Sequence, residues 1–572
     1  MRAAVLLAGC LIPAALAADS AADRLAWFRE AKFGMFIHWG PYSMAAGEWE
    51  GREVPPGKNA EWIMHDLRIP VARYREMAHG FNPVKFDAAL WARLARQAGM
   101  RYLVITAKHH DGFAMYHSRV SGYNIVDWTP FKRDPLAELA EACRREGIRF
   151  CFYYSHREDW DDPDAYGNDW DYTPAKQDFA AYLERKSKPQ LRELLTGYGP
   201  IGLVWFDRGL YTPAQARDFM EIVRTLQPGC LVNGRVGNYD QELEGDYQSL
   251  SDNGMPPGGL DEYWETPQTL NDTWGYSRFD HHWKTPETVV RRLVEIASKG
   301  GNYLLNIGPM GDGAVPQPTV EILGRVGAWV ARYGESVYGT AAAPFGALPW
   351  GRVTVKGARL YLHVFAWPPD GMLRLNGLRN TPRAARLLGA APGKLSYEKR
   401  GSTLLMRLPA AAPDPIDSVV AVDLDAPPRV DPPVVEQHGS APLKLDYMTA
   451  VTSGTALKRF NRKGGFHISK WTGPADAATW QARIAAPGRY AVRLRYAAQP
   501  AWEGGRYEIA VGPRVLRGAV QGTPGWYEYR TVDAGTVDLA AGAYTVKVRP
   551  AASTGHDLMY FESLELRQDL GN

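Results

Sequence analysis

Beyond its first twenty residues the chain lacks any long apolar run. A bilayer-spanning helix needs about 20 consecutive apolar residues, and no later stretch approaches that length. Cysteine is scarce as well: Cys10, Cys143, Cys151 and Cys230 are the only four in 572 residues. So few cannot form a disulfide framework. The last three read as buried thiols, with a single pair as the open alternative. Charge of one sign is also missing, since 66 Lys and Arg offset 63 Asp and Glu to a net charge of +3. With no long basic run either, nucleic acid is not an expected partner. No glycine-rich dinucleotide or phosphate-loop fingerprint follows any apolar run, and no cofactor is implied.

Aromatic residues, in contrast, are plentiful, with 19 Trp and 29 Tyr. Large cores use most such residues, and sugar-binding sites also place flat aromatic faces against the C–H surfaces of pyranose rings. The opening "MRAAVLLAGCLIPAALAADS" predicts a secretory signal peptide over 1–17: one Arg, an apolar stretch and an Ala15-Leu16-Ala17 cleavage pattern. It implies a secreted or periplasmic protein. "LAGC" at 7–10 resembles a lipoprotein box, but the apolar segment ahead of it would be very short, so lipid anchoring is the weaker reading.

Over about 25–335, short apolar runs alternate with amphipathic segments. "GMFIHW" (34–39), "YLVITA" (102–107), "RFCFYY" (149–154), "IGLVWF" (201–206), "LVN" (231–233) and "NYLLNIG" (302–308) read as strands. "DAALWARLARQAG" (87–99) and "PAQARDFMEIVRTLQPG" (213–229) read as helices. This pattern predicts a buried parallel sheet, and its length favours a (β/α)8 TIM-like barrel over an open sheet. After about 340 the texture becomes short alternating strands with Pro and Gly. The expected organisation is a barrel over 18–340, a β-sandwich over 341–427, a proline-bearing linker over 428–437 and a C-terminal β-sandwich over 438–572. The fold class is thus α/β, a barrel followed by two all-β sandwich domains. Trp502, in a loop of the last domain, is either a sugar platform or a core residue.

Barrel active sites form at the C-terminal ends of the strands. There the sequence places His38-Trp39, then His109, His110 and Asp111, then Tyr154, Asp207 and Arg235. A carboxylate at the tip of an apolar strand is costly unless functional or paired, which makes Asp207 the foremost nucleophile or base candidate; a salt bridge to Arg235 is the plain alternative. Adjacent residues of an extended chain point to opposite sides, so His109 and His110 are poorly placed to share one metal ion, and no metal site is expected. A metal-dependent barrel hydrolase remains a less favoured reading.

"WFREAKFGMFIHWGPYS", "AEW", "AKHHDGF", "VWFD", "NGR", "WETPQTLNDTWGY" and "GGNYLLNIGP" together resemble glycoside hydrolase family 29, the α-L-fucosidases, over about 25–340. The first sandwich resembles the β-domain that follows the barrel in that family, and the last domain more weakly resembles a carbohydrate-binding module. The resemblance implies a retaining, double-displacement glycosidase acting on fucosylated oligosaccharides or glycoconjugates, in which one carboxylate attacks the anomeric carbon and a second protonates the leaving oxygen. It implies Asp207 as nucleophile, and His38, Glu61, Trp62, His109, His110, Tyr154, Trp205 and Arg235 as substrate-binding residues, with Phe36 and Trp205 toward the C5 methyl group. Gly is the common residue where this chain has Arg208, so leaving-group preference is the feature this departure touches. For the acid/base, the carboxylates between 240 and 272 are Asp240, Glu242, Glu244, Asp246, Asp252, Asp261, Glu262, Glu265 and Asp272. Glu265 is favoured because it lies in "WETP" beside Trp264, whose ring would raise its pKa. Asp246 is the runner-up, with Glu244 and Glu262 behind it. A glycan-binding protein that has lost hydrolysis is the alternative from another class. Asp111 reads as a loop-ordering carboxylate.

Overall fold

The computed structural model describes residues 21–569 except 238–244, 347, 391–392, 463–464, 526 and 553. The signal segment, Cys10, Asp240, Glu242 and Glu244 lie outside the described residues.

Eight parallel strands form the first sheet: β1 (Phe33–Ile37), β2 (Tyr102–Lys108), β3 (Arg149–Tyr154), β4 (Leu203–Phe206), β5 (Leu231–Val232), β6 (Gln248–Ser249), β7 (Trp264–Thr269) and β8 (Asn302–Ile307). They run in the order β5-β4-β3-β2-β1-β8-β7-β6. A parallel bridge between Asn233 and Tyr247 joins the two ends, so the sheet closes into a TIM-like barrel. Amphipathic helices pack outside it, among them α1 (Ala88–Gln97), α2 (Pro135–Glu146), α3 (Lys188–Gly197), α4 (Pro213–Leu226), α5 (Pro286–Ser298) and α6 (Gln317–Tyr333). Asp87, Asp134, Thr212 and Thr285 cap four of them by accepting backbone N–H bonds, which satisfies donors the helix itself cannot.

The strand pleat sorts side chains into two sets. On β1 and β4, Phe36, Leu203 and Trp205 point into the barrel. Met35, Ile37, Val204 and Phe206 point out at the helices. The six strands read from the sequence are present, and two more complete the ring. β6 is only two residues long, and β7, "WETPQT", is polar with a proline inside it. Pro267 stands opposite Leu304 in the β7–β8 register, a position where proline usually argues against a strand.

Cys143, Cys151 and Cys230 are free and buried. After the barrel, a five-stranded and a three-stranded sheet, lying between Ala341 and Leu424, enclose a second core. Two six-stranded sheets between Val434 and Gln568 enclose a third. The segment expected to be a linker is tied at both ends. Val430 bridges Leu378, and Val434–Glu436 runs as a parallel strand beside Gln481–Arg483. Trp502 is buried in the third core, so the sugar-platform reading of it does not hold. Among the described residues no helix is long and apolar enough to cross a membrane.

Candidate active site

At the C-terminal mouth of the barrel lies a pocket of about 260 Å³, the size class of a single sugar. Its floor and walls are Phe36, His38, His109, Tyr153, Trp205 and Trp274, with Glu61 and Asp207 between them. Asn59, Trp62, Arg208, Arg235 and Asp252 complete the lining.

Asp207 follows β4 in the inward phase set by Leu203 and Trp205. Its Oδ1 accepts from Arg235 Nη1 at 3.0 Å and from the Arg208 backbone N–H at 2.9 Å. Its Oδ2 accepts from the Tyr153 hydroxyl at 3.0 Å and lies 3.5 Å from His110 Nε2. Burial by itself would raise this carboxyl, but His110 and Arg235 outweigh burial and hold it well below the usual carboxylate range. Asp207 is therefore ionised at neutral pH. Arg235 also donates from Nη2 to Asp252 Oδ1 at 2.6 Å. A single guanidinium thus links two carboxylates of one pocket, and Asp252 is the half-exposed member, with 51% of its side chain open to solvent.

His38, His109 and Glu61 are held neutral by burial. His38 is pushed down to about 4 by burial. Its ring nitrogen Nδ1 lies 2.7 Å from Asn306 Oδ1, and the Asn306 amide donates to the Trp274 carbonyl. The amide orientation is thereby fixed, so His38 carries its proton on Nδ1 and leaves Nε2 as an acceptor. His109 is also held neutral, chiefly by burial, and its buried Nδ1 has no hydrogen-bond partner among the described residues. Burial raises Glu61 to about 8, although one of its oxygens accepts from the Gly275 N–H at 2.8 Å. Glu61 is a protonated donor at pH 7.

Of the residues expected from sequence, Asp207, His38, Glu61, Trp62, His109, Trp205 and Arg235 line this pocket. His110 stands beside Asp207, with Nδ1 2.7 Å from Ser155 Oγ. Two expectations fail. Tyr154 points outward from β3, where its hydroxyl donates to the Ser187 carbonyl at 3.0 Å. The inward residue is its neighbour Tyr153, and a slip of one residue along a strand exchanges the faces. Glu265 is the second. In the register Phe36 pairs with Asn306 and Asn306 with Thr269, whereas Glu265 pairs with Asn302. Glu265 lies four residues below the level of Phe36, about 13 Å along the strand. Fully buried, it accepts from Tyr102 at 2.6 Å and from Trp205 Nε1 at 2.9 Å. Burial does raise it, to about 7, but Trp205 stands between it and the pocket.

The runners-up are also committed elsewhere. Asp246 accepts from Arg224, Arg24 and the Val232 N–H, and Glu262 accepts from Gln248 at 2.6 Å. Sequence reasoning passed over Tyr153 and Trp274, and left Asp252 unranked among nine carboxylates. Asp111 accepts from the Tyr74 hydroxyl and the Phe113 N–H, a loop-ordering arrangement.

Residues 15–335 match the family model described as alpha-L-fucosidase. The tissue alpha-L-fucosidase of Bos taurus is 32% identical over 418 residues, 68% of this chain and 85% of that protein. The crystal structure of an alpha-L-fucosidase from Vibrio sp. strain EJY3 matches with a TM-score of 0.70 and 32% identity, over 96% of this chain and 98% of that one. A family 29 alpha-L-fucosidase from Bacteroides thetaiotaomicron, solved as a trapped covalent intermediate with 2-fluoro-fucosyl fluoride, matches with a TM-score of 0.64 and 30% identity, over 70% of this chain and 96% of that one. With the fold, the pocket and the sequence in agreement, the chain belongs to glycoside hydrolase family 29, the α-L-fucosidases.

Proposed function

We propose that this enzyme removes terminal α-L-fucosyl residues from glycans with retention of configuration, using Asp207 as nucleophile and Asp252 as acid/base. The observation that carries the assignment is Arg235, whose two terminal nitrogens hold both carboxylates in one pocket. Retaining glycosidases need such a close pair, roughly 5–5.5 Å apart. Asp207 attacks the anomeric carbon as Asp252 gives its proton to the departing oxygen. Asp252 then takes a proton from the water that cleaves the fucosyl–Asp207 ester. Its half-exposed position lets it exchange protons with solvent and places it where a leaving group departs.

Neutral donors and acceptors, namely His38, His109, Glu61 and Tyr153, suit the hydroxyls of fucose, and the rings of Phe36, Trp205 and Trp274 suit its apolar edge. A substrate lacking one hydroxyl would leave such a buried group unpaired, which is how the pocket discriminates. Glu61 supplies a second reading of the acid, because its raised pKa keeps it protonated at neutral pH.

Azide separates the roles. Asp207→Gly should lose almost all turnover and, with azide, form the β-fucosyl azide. Asp252→Ala should retain activity on aryl fucosides with good leaving groups, fail on natural glycans and form the α-fucosyl azide. If Glu61→Ala gave the α-azide and Asp252→Ala did not, the acid/base would be Glu61. The apolar N-terminus supports a secreted or periplasmic location, which sequencing of the mature N-terminus tests.

A further inference from the structure

We propose that Arg208 forms the binding site for the first sugar of the leaving group, so that the enzyme selects a pyranose aglycone with vicinal hydroxyls. The inference rests on the fucosidase reading above.

Arg208 follows the nucleophile with φ +63°, in the left-handed region that costs a residue with a Cβ and favours glycine. Its backbone contribution, an N–H bond to Asp207 Oδ1, could come from glycine at less strain. The family resemblance leads one to expect glycine here, so what arginine adds is its side chain. That side chain is held in place. Nε donates to Glu158 Oε1 at 2.8 Å, a carboxylate only 4% exposed. The guanidinium carbon lies 5.4 Å from the ring centre of Trp62.

Among the described residues the two terminal nitrogens of Arg208 have no hydrogen-bond partner, and the side chain is 48% exposed. It lines the catalytic pocket together with Trp62 and Asp252. A fixed guanidinium with N–H groups to donate beside an indole face matches a pyranose. The N–H pair can donate to vicinal hydroxyls while the ring edge packs against the tryptophan. Glu158 takes up part of the positive charge and is shared with Arg157, which also donates to it. The competing explanation is that Arg208 only neutralises Glu158 and shapes the Asp207 turn.

The test uses the full chain, with Arg208→Gly and Arg208→Lys compared against the wild type. Glycine relieves the backbone strain, so a loss of activity in that variant does not reflect a damaged turn. The substrates are α-L-fucosyl fluoride, which has no aglycone sugar, and a panel of fucosylated disaccharides. Arg208→Gly should lower kcat/KM for the preferred disaccharide by roughly tenfold or more beyond any change on the fluoride, mainly through KM. Arg208→Lys should recover only part of it, because an ammonium cannot donate bidentately. Equal losses on fluoride and disaccharides, or no loss on any disaccharide, would overturn the proposal. If the wild type did not turn over the fluoride at all, the fucosidase reading itself would fall.

Discussion

Replacing Glu265 with Gln separates the structural placement of this residue from its sequence-based role as acid/base. Burial raises the carboxyl from 4.5 to about 7, which corresponds to a penalty of ~3 kcal/mol on its charged form. The folded value lies above the unfolded one. Below pH 4.5 both states hold the proton and no penalty exists. Between 4.5 and 7 the unfolded chain releases a proton that the folded chain keeps, so stability falls as pH rises. Above pH 7 the full penalty remains. Glutamine removes the charge and can still be satisfied, accepting from Trp205 Nε1 while its amide donates to the Tyr102 oxygen. The variant should match the wild type to within about 1 kcal/mol at pH 4.5 and exceed it by ~3 kcal/mol at pH 8. Thermal unfolding followed from pH 4 to 8.5 reads this as a gap in Tm that widens by several degrees. The dependence of kcat/KM on leaving-group pKa should match that of the wild type. Parallel Tm curves would refute the buried-carboxyl argument. A selective collapse on poor leaving groups would return Glu265 to the acid/base role.

Three further outcomes follow from the same geometry. Glu61 is competent as a donor only while protonated, so kcat/KM on a fucosylated glycan should decline as pH rises through about 8; Glu61→Gln should flatten that alkaline limb, and an unchanged limb would assign it to another group. Tyr153→Phe removes a hydroxyl bonded to the nucleophile and should lower kcat roughly tenfold, whereas Tyr154→Phe should hold kcat/KM and cost about 1 kcal/mol in stability. Asp159 is fully buried between Lys108 and Lys186, each 2.9 Å away. Asp159→Asn takes the paired carboxylate from buried Lys108, while Lys186 keeps Asp161 and Asp162 at 4.0 and 3.8 Å, and denaturant unfolding should show a loss of about 3 kcal/mol.

What the sequence disclosed depended on how strongly each strand's phase was anchored. β1 and β4 are buried at every position, so no alternation marks their phase; His38 and Asp207 stand out as the polar residues that end apolar runs, and Phe36 and Trp205 through the resemblance. β3 reads "RFCFYY", apolar at almost every position, because a barrel strand is buried on both faces. Nothing local distinguishes Tyr153 from Tyr154. Between Thr106 and Lys108 the β2–β3 register shifts. That irregularity turns Lys108 outward to Asp159 and brings His109 into the pocket. Such a bulge leaves no mark that a single sequence can be read for. The misplacement of Glu265 has a different origin. Its pKa is raised by burial in the barrel interior and not by the ring of Trp264, which packs on the outward side, and an apolar setting is as available at the barrel floor as at its mouth. Only the register of β7 says which end a residue occupies, and a polar strand with an internal proline did not announce itself.

The charge layout of the pocket explains why these distinctions matter chemically. Deep in the site three titratable groups are neutral. His38 and His109 are held down and Glu61 up, each chiefly by the loss of water. Asp207 is charged, because His110 and Arg235 compensate its burial. Neutral groups bond sugar hydroxyls without drawing an ion out of solvent, whereas the carboxylate charge kept on Asp207 is the one the proposed reaction consumes. When Asp207 becomes an ester, Arg235 loses one of its two anionic partners and retains Asp252. The guanidinium then favours the ionised form of Asp252, which is the form required to activate water in the second step. In the proposed mechanism Arg235 thereby couples the two halves of double displacement. Its replacement by Met should slow deglycosylation more than glycosylation, so pre-steady-state burst amplitudes should rise with an activated aryl fucoside; a variant slowed equally in both steps would leave Arg235 as a mere anchor for Asp207.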